Sequence, residues 1–174
     1  MAYPTAAQLT FKQDDKYAGA QPIMNTGTTQ NHPLGTRIKG VDAGTLAYGE
    51  AEFIYLKGVA STAAGDLVVY DPVAATTTRL VAASRGPVAV AMSANIASQY
   101  GWYAVFGNVP VNTTSAGIGA ANAGLASTAT AGQATVRGGA NQGIDGLICK
   151  TAQDTPTSGF TQVELHYPCM NGLT

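Results

Sequence analysis

The sequence predicts an all-β fold, an antiparallel barrel or sandwich, with an extended N-terminal arm. Three observations predict it. Short apolar runs recur through residues 48–111, each cut by Gly, Pro or Asp, the pattern of strands joined by turns. No long amphipathic helical period separates those runs, which disfavours parallel βαβ units. The length of 174 residues, 45% of them hydrophobic, suits one domain with a real core.

Composition narrows the function class. Charged residues make up 11% of the chain and the net charge is -1, against roughly 25% charged in an average soluble domain. The surface must then be largely Thr, Ser, Asn, Gln, Gly and Ala, which suits packing against partners. A homo-oligomer, dimer or trimer, is expected. Nine basic and ten acidic residues are scattered along the chain, so direct nucleic-acid binding, which needs several cations on one face, is not expected. No run approaches the roughly 18 apolar residues that span a bilayer. The first residues lack a basic start followed by an apolar stretch, so synthesis in a cytoplasm without a signal peptide is expected.

Taken in order, residues 1–44 form the arm. Pro4, Pro22 and Pro33 interrupt it, and only residues 9–11 and 37–41 offer brief strands. Such a polar segment either stays loose or lies on a surface that offsets about 1–2 kcal/mol per residue of ordering entropy. The body occupies residues 45–174. Its first strong strand is 52–57, where Glu52, Ile54 and Leu56 alternate with Phe53, Tyr55 and Lys57. Neither face is purely polar, so packing on both sides is expected. Residues 67–70 form the next strand, ended by Asp71-Pro72 because Pro donates no ladder hydrogen bond. Residues 76–82 follow. In 88–92, Val88, Val90 and Met92 alternate with small residues.

Residues 101–106 are the aromatic strand, with Trp102, Ala104 and Phe106 on one face and Tyr103 and Val105 on the other. Gly107-Asn108 marks a turn or bulge, and 109–111 reads as a short strand at an edge or a barrel corner. Residues 112–143 are nearly all small, with short strands on either side of Ala131-Gly132. Ile144, Gly146 and Ile148 alternate. A closing strand over 161–167 sets Val163, Leu165 and Tyr167 on one side and is ended by Pro168. The expected structural core is Phe53, Tyr55, Val90, Trp102, Phe106 and Leu165.

The run YGEAEFIYLKGVASTAAGDLVVYD followed by GPVAVAMSANIASQYGWYAVFGNVPV resembles the capsid decoration, or cement, proteins of tailed bacteriophages. Its more specific parts are Gly49-Glu50-Ala51-Glu52-Phe53-Ile54-Tyr55 and Tyr100-Gly101-Trp102-Tyr103. The likeness is best over 34–111 and weaker through the terminal VELHYP. The resemblance implies a small antiparallel β-barrel or jelly-roll-like subunit on the outer surface of an icosahedral head, a homo-oligomer that binds the major capsid protein lattice and stabilises it. It also implies that the N-terminal arm is an attachment element. On that basis Leu9, Phe11, Ile23 and Leu34 are candidate apolar contacts to the capsid, and Arg37 a candidate registering charge.

Catalytic chemistry finds little footing. His32 and His166 are the only histidines and share no metal-ligand spacing, so no metal or cofactor is expected. Glu50 and Glu52 lie on one side of a strand, which suits salt bridges at a rim as well as it suits a carboxylate pair for glycoside cleavage. Cys149 and Cys169 lack CxxC spacing, and a bridge or two small thiols both fit. The competing function is a carbohydrate- or receptor-binding β-module on a virion or cell surface, with Tyr100, Trp102 and Tyr103 as the sugar-stacking set. An enzyme is not expected.

Overall fold

The computed structural model describes residues 11–13, 19–44, 48–95, 97–114, 118, 121–138, 143–150 and 160–170. Eleven strands occur among them and no helix: β1 (Phe11–Gln13), β2 (Arg37–Asp42), β3 (Glu50–Lys57), β4 (Leu67–Tyr70), β5 (Thr77–Arg79), β6 (Gly86–Ala91), β7 (Tyr100–Asn112), β8 (Gly124–Ser127), β9 (Ala134–Val136), β10 (Gly143–Cys149) and β11 (Phe160–Met170). All the strand pairings between them are antiparallel. The hydrogen-bonded order is β1-β2-β3-β7-β6-β11-β10-β8-β9, with β4 on β6 and β5 on β4. The path ends at β1 and β9, so the sheet as a whole is not closed into a barrel. The all-β antiparallel expectation holds, and the strands near residue 135 pair with each other as β8 and β9.

Both faces of the central strands are buried within one chain. Phe53 and Tyr55 of β3, Val90 of β6, Trp102 and Ala104 of β7 and Leu165 of β11 belong to the main core. Ile54, Leu56, Val68, Ala89, Tyr103 and Val105 form a second cluster on the opposite face. The apolar alternation of β3 on both of its faces produces this arrangement, since successive side chains of a strand point to opposite sides. Asp66 is buried at the start of β4 and fully engaged: Arg79 Nη2 lies 3.0 Å away, Asn112 Nδ2 donates at 2.7 Å and the Ala63 N–H at 2.9 Å. It ties β5 and β7 to the loop before β4.

Two irregularities redirect side chains. In β7, Glu52 pairs with Phe106 but Phe53 pairs with Ala104, so Val105 is an extra residue. Gly107 sits beyond it at a φ of 96°. Core positions are even before the bulge, at Trp102 and Ala104, and odd after it, at Val109 and Val111. Phe106, expected in the core, is therefore turned to the surface and is 39% exposed. In β10–β11, Asp145 pairs with Cys169 and Leu147 with Leu165, so a single residue of β10 faces three of β11. Val163 and Leu165 point inward as expected. Tyr167, at a φ of 47°, is turned outward, 52% exposed, instead of sharing their face. Pro168 does not end the strand, which runs on to Met170. Ile144, Leu147 and Cys149 are the inward residues of β10, because the register slips at Gly146. Residues 109–111 are no separate edge strand: they continue β7 and pair with β11. Through these bends β6, β7 and β11 pair mutually, which a flat sheet does not permit.

Candidate interaction surface

The outward face of β2, β3, β7 and β11 gathers the exposed aromatic residues. Positions 37, 39 and 41 of β2 and 50 and 52 of β3 share this face, because Lys39 lies opposite Glu52 and Val41 opposite Glu50. The bulge of β7 adds Phe106, and the bulge of β11 adds His166 and Tyr167. Phe106 lies opposite both Glu52 and His166. Its ring centroid is 5.4 Å from that of Tyr167 and 5.6 Å from the His166 ring, the latter edge-to-face.

Charged groups fix the rings. The Tyr167 hydroxyl donates to Glu52 Oε2 at 3.0 Å, and Arg37 Nη1 donates to Glu52 Oε1 at 2.7 Å. The Arg37 guanidinium lies 5.5 Å from the centre of the Tyr167 ring, a cation–π distance. Lys39 Nζ is 2.9 Å from Glu50 Oε1. Beyond the rings, Glu164 takes Lys150 at 2.9 Å and His166 at 3.2 Å. The hydrogen bond to Glu52 raises both the Arg37 and the Tyr167 pKa, and that to Glu50 raises Lys39. The Lys150 hydrogen bond lowers Glu164. A shallow cleft of about 170 Å3 lies between Lys39, Glu50, Ala51, Glu52, Phe106 and Tyr167.

Two close approaches hold this geometry. A Cβ on Gly107 would lie 2.6 Å from the Glu50 carbonyl oxygen, and one on Gly146 would lie 2.6 Å from the carbonyl oxygen of His166. Only glycine lets the backbones meet there. Tyr167 itself occupies a left-handed conformation rare for a bulky residue. Strained positions of this kind cluster at functional sites. Aromatic residues and Arg within a polar rim are also the composition of energetic centres in protein interfaces.

The sequence-expected contacts fall in several places. Phe11 and Ile23 are interior: both belong to the chain's own core, Phe11 edge-to-face on Phe53 at 5.3 Å. Both side chains are covered by the chain itself. Leu34 is half-buried and packs against both apolar clusters. Arg37 is exposed and part of the aromatic face. Leu9 lies outside the described residues. Phe53, Tyr55, Val90, Trp102 and Leu165 are core residues as expected, all fully buried.

The segment 19–36 is pinned to the body by Gln21. Its carbonyl accepts from Trp102 Nε1 at 2.8 Å, its Oε1 accepts from the Tyr55 hydroxyl at 3.0 Å, and its Nε2 donates to the Asn25 and Tyr100 carbonyls. His32 Nε2 accepts the Gln21 N–H at 3.0 Å, with the imidazole against Tyr55 and Trp102. Trp102 is thus wholly interior, and Tyr103 is buried in the cluster on the opposite face. Glu50 and Glu52 are engaged by Lys39 and Arg37. Among the described residues no group of three His, Cys, Asp or Glu side chains could hold a metal ion. Cys149 is buried, Cys169 half-buried, and no disulfide joins them. No described helix is long and apolar enough to cross a membrane.

Reading the sequence missed His166 and Tyr167 as partners of Phe106. The available signals were Gly107 after an aromatic run and the Tyr167-Pro168 step inside a strand, both bulge markers. No family model matches the chain, and no curated protein or solved structure matches it.

Proposed function

We propose that the chain is a structural decoration subunit that binds the outer surface of a tailed-phage head and stabilises the major capsid protein lattice. The observation that carries this reading is the aromatic face: Phe106 and Tyr167 are turned out of a rigid sheet by two bulges and framed by paired charges. A chain that holds aromatic side chains at its surface by backbone geometry is suited to docking on protein. The resemblance over 34–111 and the antiparallel all-β body support the same reading. In it the body is barrel-like, supported by the mutual pairing of β6, β7 and β11. Attachment falls mainly to the body, because Phe11 and Ile23 of the arm lie in the chain's own core.

Stabilisation by such a subunit needs no covalent chemistry. A rigid body seated where neighbouring capsid proteins meet adds contacts that must break before they separate. Repeated over a symmetric shell, modest individual contacts sum to a large barrier.

The test mixes the purified chain with expanded heads that lack it. Co-sedimentation at a saturating, symmetry-related stoichiometry is expected, with a raised temperature of head disruption. Absence of any association would overturn the reading. The cleft beside Glu50, Glu52 and Tyr167 favours a second reading, a glycan-binding module stacking a sugar on Phe106 or Tyr167. A glycan array run in parallel separates the two: hits abolished by Tyr167→Ala, without head binding, would establish the second.

A further inference from the structure

We propose that the aromatic face takes an uncharged, apolar segment of its protein partner, seated on the Phe106 and Tyr167 rings; the proposal rests on reading that face as a protein contact. The polar groups around the rings name the occupant, because the chain itself already engages them. Both oxygens of Glu52 are taken, Oε1 by Arg37 at 2.7 Å and Oε2 by the Tyr167 hydroxyl at 3.0 Å. Both oxygens of Glu164 are taken as well, Oε2 by Lys150 at 2.9 Å and Oε1 by His166 at 3.2 Å. Lys39 holds Glu50 at 2.9 Å. Three cations, Arg37, Lys39 and Lys150, thus meet three anions, Glu50, Glu52 and Glu164, and their formal charges cancel.

A charged partner gains little here. Its ion pair would replace one inside the chain, an exchange of like for like, and balanced charge provides no field to steer it. A cation on Tyr167 meets a second obstacle: the Arg37 guanidinium already lies 5.5 Å from the centre of that ring. A sugar needs donors and acceptors for its hydroxyls, and those nearest the rings are engaged. What the face still offers is apolar: the Phe106 ring, 39% exposed, and the Tyr167 ring, 52% exposed, beside a cleft of about 170 Å3. A cleft of that size admits one side chain from a loop, and proline on aromatic rings is a recurring mode of peptide recognition. Non-directional apolar burial then supplies the affinity, and the ion-paired rim shields it from water.

Two experiments on the full chain read the occupant, one with heads and one without. Affinity for heads should stay within about twofold between about 0.05 and 0.5 M salt, because screening acts on charge and not on apolar burial. K39Q/E50Q deletes an ion pair at unchanged net charge and should bind within about twofold of wild type. F106S/Y167S should bind about tenfold or more weakly. Both variants alter surface side chains, and circular dichroism with thermal unfolding verifies their fold. Without heads, NMR of the aromatic rings follows small probes. N-acetylprolinamide should shift the Phe106 and Tyr167 signals saturably, and methylguanidinium, acetate and glucose should not. Affinity that falls about tenfold over the salt range, or with K39Q/E50Q, would show a charged partner and overturn the proposal. Rings indifferent to N-acetylprolinamide, or shifted more by a charged probe or glucose, would overturn it too. Heads bound equally by F106S/Y167S would overturn it and leave decoration standing. A chain that answers N-acetylprolinamide alone and ignores heads supports the apolar seat and sinks decoration.

Discussion

Burial holds two phenols well above their ordinary range. Desolvation raises both Tyr48 and Tyr103 to about 12, with Asp42 adding to the effect at Tyr48. An unfolded tyrosine ionises near pH 10. Below pH 10 both states keep the proton and the contribution to stability is fully present. Between pH 10 and 12 the unfolded chain releases protons that the folded chain retains, so stability falls as pH rises. Phenolate absorbance should therefore show a late fraction that appears near pH 12 or with unfolding, and denaturant midpoints should drop steadily above pH 10. All tyrosines ionising together near pH 10 in a still-folded chain would contradict the burial of these two. Trp102 and Phe106 illustrate how far two residues of one strand can differ: the first is enclosed with its N–H on the Gln21 carbonyl, and the second is an exposed ring against Tyr167.

At the scale of elements, the bulges in β7 and β11 decide what the sheet presents. Without the extra residue at Val105, Phe106 would continue the inward series of Trp102 and Ala104. Gly107 holds that break at a φ of 96°, with Glu50 and Ala51 packed against its open side. Gly107→Ala should cost about 2–3 kcal/mol, from a left-handed backbone and a methyl pressed on main-chain atoms. Urea unfolding measures it. A loss below about 0.5 kcal/mol, the level of an ordinary surface change, would show that the backbones at this point are free to part.

At the scale of the whole molecule, the N-terminal segment is part of the folded body from Phe11 onward, wherever it is described. β1 pairs with β2, Phe11 and Ile23 enter the main core, and Gln21 satisfies Trp102 and Tyr55. Deleting residues 2–30 removes two buried apolar side chains, each contributing about 1.5–3 kcal/mol. It also leaves the Trp102 N–H unpaired, at about 1–3 kcal/mol. That sum is a large share of the 5–15 kcal/mol typical of a domain. The truncated chain should lose cooperative thermal unfolding or melt far lower. A truncated chain that melts like the full one would show that the segment covers the body without supporting it.

The sequence by itself determined the strand-forming character of the chain, the two-sided burial of β3 and most of the main core. These follow from local alternation: a period of two puts Phe53 and Tyr55 on one face and Ile54 and Leu56 on the other whatever the strands pair with. It also exposed the weak points of that alternation, at Gly107 and Pro168. Only the tertiary structure decided what happened there. A bulge shifts every later side chain to the opposite face, and whether a Gly-containing strand breaks, turns or bulges depends on the neighbouring backbone, here Glu50 and Ala51 of β3 and Gly146 of β10. The seating of Phe11 and Ile23 was hidden for the same reason. Sparse apolar residues in a polar segment fit a partner's surface or the chain's own core equally well, and the choice rests on contacts far apart in sequence, such as Gln21 with Trp102. The aromatic face of Phe106, His166 and Tyr167 is a product of two such long-range decisions, which is why no single stretch of sequence announced it.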